Sequence, residues 1–299
     1  MLKLFRNTDS HYHTHKTQLE LGLQRHFEKD RNFDKGGRSF YFFDFDDNIA
    51  ILASTIVIFH KDSGQEVQLS SSEFSEHSRD IGVRGLYGNY EIRWDDRLGS
   101  FRNFRDRDLN VVDRLVGRKQ YFVQDLQQAL GLPEHQWRGP SWHCFYHAVF
   151  NLRPISLITA RGHHPDTIKE GIRLMVEANH LPHEPNYLSV YPLNFPEMRS
   201  RFGGSASVPE MKRFAIRASV EKAFEVYGYN DHHRFGMSDD DPGNIALIIE
   251  EMARLKRDYP RVSFFVFETH KGQFLRREIQ GGHTLDEVMS GFPQQMELF

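Results

Sequence analysis

Cysteine is nearly absent. Cys144 stands alone, so neither an internal disulfide nor a thiolate metal cluster can form, and a bound metal must take oxygen or nitrogen ligands. Long apolar runs are missing too, none approaching the ~20 residues that span a bilayer. The opening MLKLFRNTDSHYHTH turns polar after Phe5 and holds no stretch of signal-peptide type, which makes the cytoplasm the expected compartment. Nor is charge of one sign in excess. With 38 basic and 41 acidic residues the net charge is -3, which excludes a global field that would gather nucleic acid.

What is present suits a folded, well-solvated protein: 39% hydrophobic and 26% charged residues, with a mean hydropathy of -0.59. The 299 residues fit one elaborated domain or two smaller ones. A basic cluster at Arg102, Arg105, Arg107 and Arg114 is interleaved with Asp106, Asp108 and Asp113, and reads as a solvated face. The alternating His11, His13 and His15 read as an exposed polar run rather than a metal site.

Two regimes of pattern follow a polar N-terminal extension, residues 1–37, in which Leu19, Leu23 and Phe27 recur at helical spacing. The run Phe40 to Phe43, apolar on both faces and ending in carboxylates, predicts a strand buried in a sheet covered by helices. The segment ILASTIVIFHKDSGQEVQL predicts a hairpin with its turn at Lys61 to Gln65. Residues 61–138 carry one plausible helix, Leu109 to Leu130, and read as an inserted subdomain. From Gly139 onward amphipathic helices alternate with short apolar strands: ISLIT, YLSVYPL, HRFGMS and VSFFVFE. Such alternation predicts an α/β fold, a Rossmann-like parallel sheet with helices on both faces, built from residues 38–60 and 139–275 and followed by a tail at 276–299.

Ligands in that architecture bind beyond the strands' carboxyl ends. There the sequence places Asp44, Asp46 and Asp47; Thr159, Ala160 and Arg161; and Ser238 to Asp241, with Lys212 near the start of a later helix. Two acids, a hydroxyl, an amine and a further acid cluster suit phosphoryl transfer through a carboxyl phosphate. One aspartate attacks phosphorus, a second acid serves the leaving oxygen and then water, and the hydroxyl and ammonium hold phosphoryl oxygens. The remaining acids hold a hard cation.

In these residues the sequence resembles the haloacid dehalogenase-like superfamily, whose four motifs occur in order: FYFFDFDDN, ISLITARG, a lysine, and FGMSDDDPGN. The resemblance covers the two core segments. It implies Asp44 as nucleophile, Asp46 as general acid/base and metal ligand through its carbonyl, and Thr159 and Lys212 as phosphate-binding groups. It implies Mg²⁺ held by Asp44, Asp46, Asp239 and Asp240, although Asp241 and Asn244 stand close enough in sequence to take part. It also implies that the insertion is a cap, and that the protein is a hydrolase of a small phosphorylated substrate. Asp46 argues for this phosphatase branch and against the dehalogenase branch, which needs neither a second carboxylate nor a metal. One departure is plain: Asn48 stands where the family has Thr or Val.

The competing expectations are simpler. Carboxylates after strands also serve as turn and helix-cap residues, as Asp241 before Pro242 suits, and a lone lysine on a helix is often solvated. Arg161, His163 and His164 face either the crevice or the surface, while His232 and His233 precede their strand and lie at the wrong end for catalysis. Tyr87, Tyr90, Trp94 and Phe101 read as the insertion's own core before a stacking surface. The rival functions are an inactive, phosphate- or metal-binding regulatory protein of the same fold and, more remotely, a nucleotide-sugar transferase.

Overall fold

The computed structural model describes residues 26–95, 97–202, 206–269, 274–281 and 284–288, without the side chains of Arg114, Glu287 and Val288. In chain order these residues form β1 (Ser39–Phe43), β2 (Ile56–His60), β3 (Glu66–Leu69), α1 (Ser71–His77), β4 (Tyr90–Glu91), α2 (Val111–Leu115), α3 (Tyr121–Ala129) and α4 (Glu134–Trp137). Then come α5 (Trp142–Phe150), β5 (Pro154–Thr159), α6 (Pro165–Glu177), β6 (Asn186–Pro192), α7 (Pro196–Arg201) and α8 (Val208–Tyr227). The chain continues through β7 (Arg234–Asp239), α9 (Pro242–Asp258), β8 (Ser263–Glu268), β9 (Leu275–Ile279) and β10 (Thr284–Val288). The expected N-terminal helix, apart from Phe27, and His11, His13 and His15 lie outside the described residues.

The main sheet runs β10-β9-β8-β7-β1-β5-β6, and its five strands from β6 to β8 are parallel. The predicted first strand is therefore the middle of these five parallel strands, flanked by β5 and β7. Its five residues are all buried. Phe40 and Phe42 pack into the cluster containing Met211, Ile216, Ile245 and Ile248, whereas Tyr41 and Phe43 pack into the one containing Phe145, Ile168 and Ile172. Successive strand side chains point to opposite faces, so a run apolar throughout stays buried only with helices on both sides. Local signals start the helices. The Glu210 carboxylate accepts from the Ser207 amide and hydroxyl ahead of α8, and Asp241 accepts from the Gly243 amide at the start of α9, whose first residue is Pro242.

The predicted boundaries shift in three places. β2 leaves the core segment and pairs with β3 and β4 in a separate three-stranded sheet around Ile58, Leu69 and Ile81, so the inserted sheet begins near Ile56. The single helix expected from Leu109 to Leu130 is split into α2 and α3 around Gly117, whose φ of +75° suits glycine. α3 then packs on α6, with Phe122, Val123 and Leu126 buried, so this part of the insertion belongs to the main core. Finally, residues read as a C-terminal tail supply most of β9 and all of β10, which extend the sheet antiparallel beyond β8.

The described end of the N-terminal extension is stitched to the core. Phe27 stacks on Phe150, and Asp30 accepts from the Ser39 amide and pairs with buried Arg153 at 2.8 Å. Among the described residues, no helix is long and apolar enough to cross a membrane.

One glycine governs how the chain returns to the core after the insertion. A Cβ on Gly139 would lie 2.3 Å from the Asn48 carbonyl oxygen, and the Gly139 amide donates to Ile49 at 2.9 Å. Gly139→Ala should lower stability by about 2 kcal/mol or more, because the clash is with backbone that cannot turn aside. A urea midpoint unchanged by the substitution would refute that close approach.

Candidate active site

The site begins where β1 stops. The Asp44 amide donates to the Ser238 carbonyl at 2.9 Å, extending the β1–β7 ladder by one bond and fixing this acid between the two strands. The chain then folds back: the amides of Ile49 and Ala50 both donate to the Phe45 carbonyl, and Asp47 takes a left-handed conformation with φ 55°. Aspartate tolerates that region better than most residues.

Asn48 holds this loop in place. Its amide nitrogen donates to the carbonyls of Asp44 and Ser238 at 3.2 and 3.1 Å. Its oxygen accepts from the hydroxyls of Ser141, Thr269 and Ser238 at 2.7, 2.9 and 3.2 Å. A fully buried amide thus ties together the end of β1, the end of β7, the start of α5 and the residue after β8. Thr or Val at this position lacks the two amide donors.

Lys212, in the first turns of α8, reaches across to the same place. Its ammonium lies 2.5 Å from Asp239 Oδ2 and 3.3 Å from Asp44 Oδ1, with both Lys212 and Asp239 essentially buried. Asp239 Oδ1 accepts from the Asn244 amide at 3.0 Å and from the Asp241 backbone at 3.1 Å. Carboxylate oxygens of Asp44, Asp239 and Asp240 lie within 4.8 Å of one another. Burial pushes Asp44 well above the usual carboxylate range, with Asp239 and Asp240 adding to the effect and Lys212 opposing it. Asp240 is pushed up to about 7, chiefly by burial and then by Asp239. Burial works against the Lys212 charge, but Asp239 and Asp44 more than offset it and raise the ammonium above its ordinary value.

These groups fit a hard divalent cation. All three side chains offer oxygen, and when ionised they leave a surplus of two negative charges over Lys212. Asp44 Oδ1 is buried and accepts no hydrogen bond, despite its 3.3 Å approach to the ammonium. Asp241 is turned to the cap of α9, which separates it from the other two acids of the motif.

Asp46 is held differently. Arg161 Nε lies 3.0 and 2.9 Å from its two oxygens and Nη2 lies 2.6 Å from Oδ1, forming a bidentate pair, while the Thr159 hydroxyl stands 3.4 Å from Oδ2. The Asp46 carboxylate therefore faces the β5 end of the crevice and does not join the cluster of Asp44, Asp239 and Asp240. Asp47 beside it is raised to about 6 by burial and by Asp46, with Arg161 opposing.

All six residues singled out for catalysis, phosphate or metal thus meet at the carboxyl ends of β1, β5 and β7. Asn48 and Arg161 matter more than the sequence reading gave them credit for. The first was legible only as a departure from a motif, the second only as a basic residue after a strand. His163 is fully buried, and burial, reinforced by Arg161, holds it well below its usual value. His233 has a structural post at the far end of the sheet, where it accepts from the Arg38 amide and packs on Phe40. In the insertion, Tyr87 and Tyr90 pack on the small sheet's core, while exposed Trp94 stacks on Phe101. Two members of the basic cluster there have partners elsewhere in the insertion: Arg102 grips Glu66, and Arg107 lies over Tyr121.

Two surface clefts lie elsewhere, one along α6 between Lys119 and Arg173, the other between β6 and α8 beside Tyr191 and Lys222. Neither reaches the strand-end acids. No protein-family model, curated protein or solved structure matches this chain.

Two measurements test this geometry. Asn48→Ala leaves two carbonyls and three hydroxyls short of a buried partner, so it should cost about 3 kcal/mol in urea unfolding. A loss below about 1 kcal/mol would show that the knot carries no weight. Asp240→Asn should stabilise the metal-free protein. The native carboxyl keeps its proton to about pH 7, whereas the unfolded one releases it near its ordinary value of 3.8. Across that window the unfolded state binds fewer protons, and wild-type stability falls as pH rises. The variant's gain should therefore grow from about pH 4 to about pH 7 and then level off; a gain independent of pH would contradict the burial of this acid.

Proposed function

We propose that the protein is a magnesium-dependent phosphomonoester hydrolase of the haloacid dehalogenase-like kind, acting on a small phosphorylated substrate in the cytoplasm. The observation that carries this reading is the meeting of Asp44, Lys212, Asp239 and Asp240 in one buried cluster at the switch point of a parallel sheet, with Asp46 and Thr159 beside it. The buried free thiol of Cys144 suits a reducing compartment.

In the first step an Asp44 oxygen attacks phosphorus. The bond to the leaving oxygen breaks, and Asp46 gives that oxygen its proton, leaving an acyl phosphate on Asp44 and an alcohol. In the second step water attacks phosphorus, Asp46 takes the water's proton, and the Asp44 carboxylate leaves. The proton gained in the second step is the one spent in the next first step, so the cycle balances. Thr159 and Lys212 bind phosphoryl oxygens, and Lys212 favours the anionic form of Asp44 against the effect of burial. Asp44, Asp239 and Asp240, with the Asp46 carbonyl as the resemblance implies, would hold Mg²⁺, which would supply the positive charge that lets an anionic nucleophile and an anionic phosphate approach.

The test is magnesium-dependent release of phosphate from an aryl phosphate. Wild type should turn over, EDTA should stop it, and Asp44→Asn should lower kcat by at least about 10³-fold, since the nucleophile itself is lost. Protein that binds magnesium and phosphate yet releases none across a broad panel would instead be a regulatory member of the fold.

A further inference from the structure

We propose that Arg161 is the positioning residue for Asp46, setting which oxygen of that carboxylate exchanges protons with the substrate and water. The inference rests on the hydrolase reading and goes beyond it.

Three observations carry it. First, the guanidinium is immobilised. It lies 4.8 Å from the ring centroids of both Phe104 and Phe122, is fully buried, and gives a further hydrogen bond to the Ser54 hydroxyl at 2.9 Å, which in turn donates to Asp125. A planar fork packed over two aromatic rings has little freedom left to lose. Second, it stands behind the acid: the Asp46 side chain is 18% exposed and that of Arg161 0%, so the core side of the carboxylate is occupied and its open edge faces the crevice. Third, the two oxygens are unequal. Oδ1 takes contacts from both Nε and Nη2, whereas Oδ2 takes one from Nε and lies beside the Thr159 hydroxyl. Oδ2 is therefore the oxygen turned toward the phosphoryl-binding threonine. Among the described residues, Thr159 at 3.4 Å is the other side-chain donor to Asp46, too distant to hold the carboxylate alone.

The arrangement also involves the insertion. Phe104 belongs to it, and its carbonyl accepts from the Gly162 amide at 2.8 Å.

Proton delivery matters most when the leaving group is a poor one. The experiment compares kcat/KM for an alkyl phosphate and for 4-nitrophenyl phosphate in the full chain with magnesium. Arg161→Met should cut turnover of the alkyl ester by about 30- to 100-fold, the scale of a misplaced catalytic group. It should cut turnover of the nitrophenyl ester far less, by about threefold, because that leaving group needs little protonation. Asp46→Asn should show the same leaving-group split, and the double variant should lose no more than Asp46→Asn alone. Arg161→Lys, which keeps the charge but not the fork, should fall between, and serves as the probe if the Met variant does not fold. Equal losses on both esters, or losses that add to those of Asp46→Asn, would make Arg161 a structural residue and overturn the inference while leaving the hydrolase reading intact. Wild type inactive on both esters would overturn the reading itself, and this inference with it.

Discussion

Negative charge confined at the ends of adjoining strands is the constraint around which this protein is arranged. Carboxylates removed from water need a counter-charge, since an unpaired buried ion costs far more than a hydrogen bond returns. The fold provides two cations from different directions. Lys212 comes from α8 and serves Asp44 and Asp239; Arg161 follows β5 and serves Asp46. Two acids separated by one residue are thereby given different environments. Asp44 is set among other acids with one ammonium to share, while Asp46 has a guanidinium paired with both of its oxygens. Divergent surroundings are how neighbouring carboxylates come to play different parts.

The apolar half of the molecule explains why those ends stay together. β1 is buried on both faces and sits between β5 and β7, so the ends of all three are held by the same layers of Phe, Ile and Met that exclude water from the sheet. Full burial of side chains this size contributes about 1.5–3 kcal/mol each, which helps offset a cluster of like charges. The acids of the site are thereby gathered at the sheet's carboxyl edge.

Much of this was legible in the sequence because the signals were local. A continuous apolar run ending in acids can be little else than a central strand, and alternating helices and strands after Gly139 dictate parallel pairing. The gathering of Asp44, Thr159, Lys212 and Asp239 followed from their positions on those elements. What escaped was settled by contacts between distant segments. The hairpin of β2 and β3 was legible, but β2 reads as part of the core segment, and nothing in IVIFH shows that the hairpin forms a separate sheet with β4. The strands β9 and β10 are rich in charge and alternate only weakly, with Ile279 the well-buried residue of β9. Arg161 is one of many arginines until Phe104, Phe122 and Asp46 are seen around it, and three carboxylates in a row do not reveal which of them join Asp44.

Asn48 carries an implication for how sequences of this kind can diverge. Its amide is satisfied by two main-chain oxygens and by three hydroxyls, on Ser141, Ser238 and Thr269, residues scattered across the chain. Replacing it with a branched apolar side chain would leave Ser141 and Ser238 to each other and Thr269 to the Asp239 carbonyl, and would take two donors from the ends of β1 and β7. The four positions are therefore coupled through one buried hydrogen-bond network, and a change at any of them is felt at the ends of the strands that carry the acids.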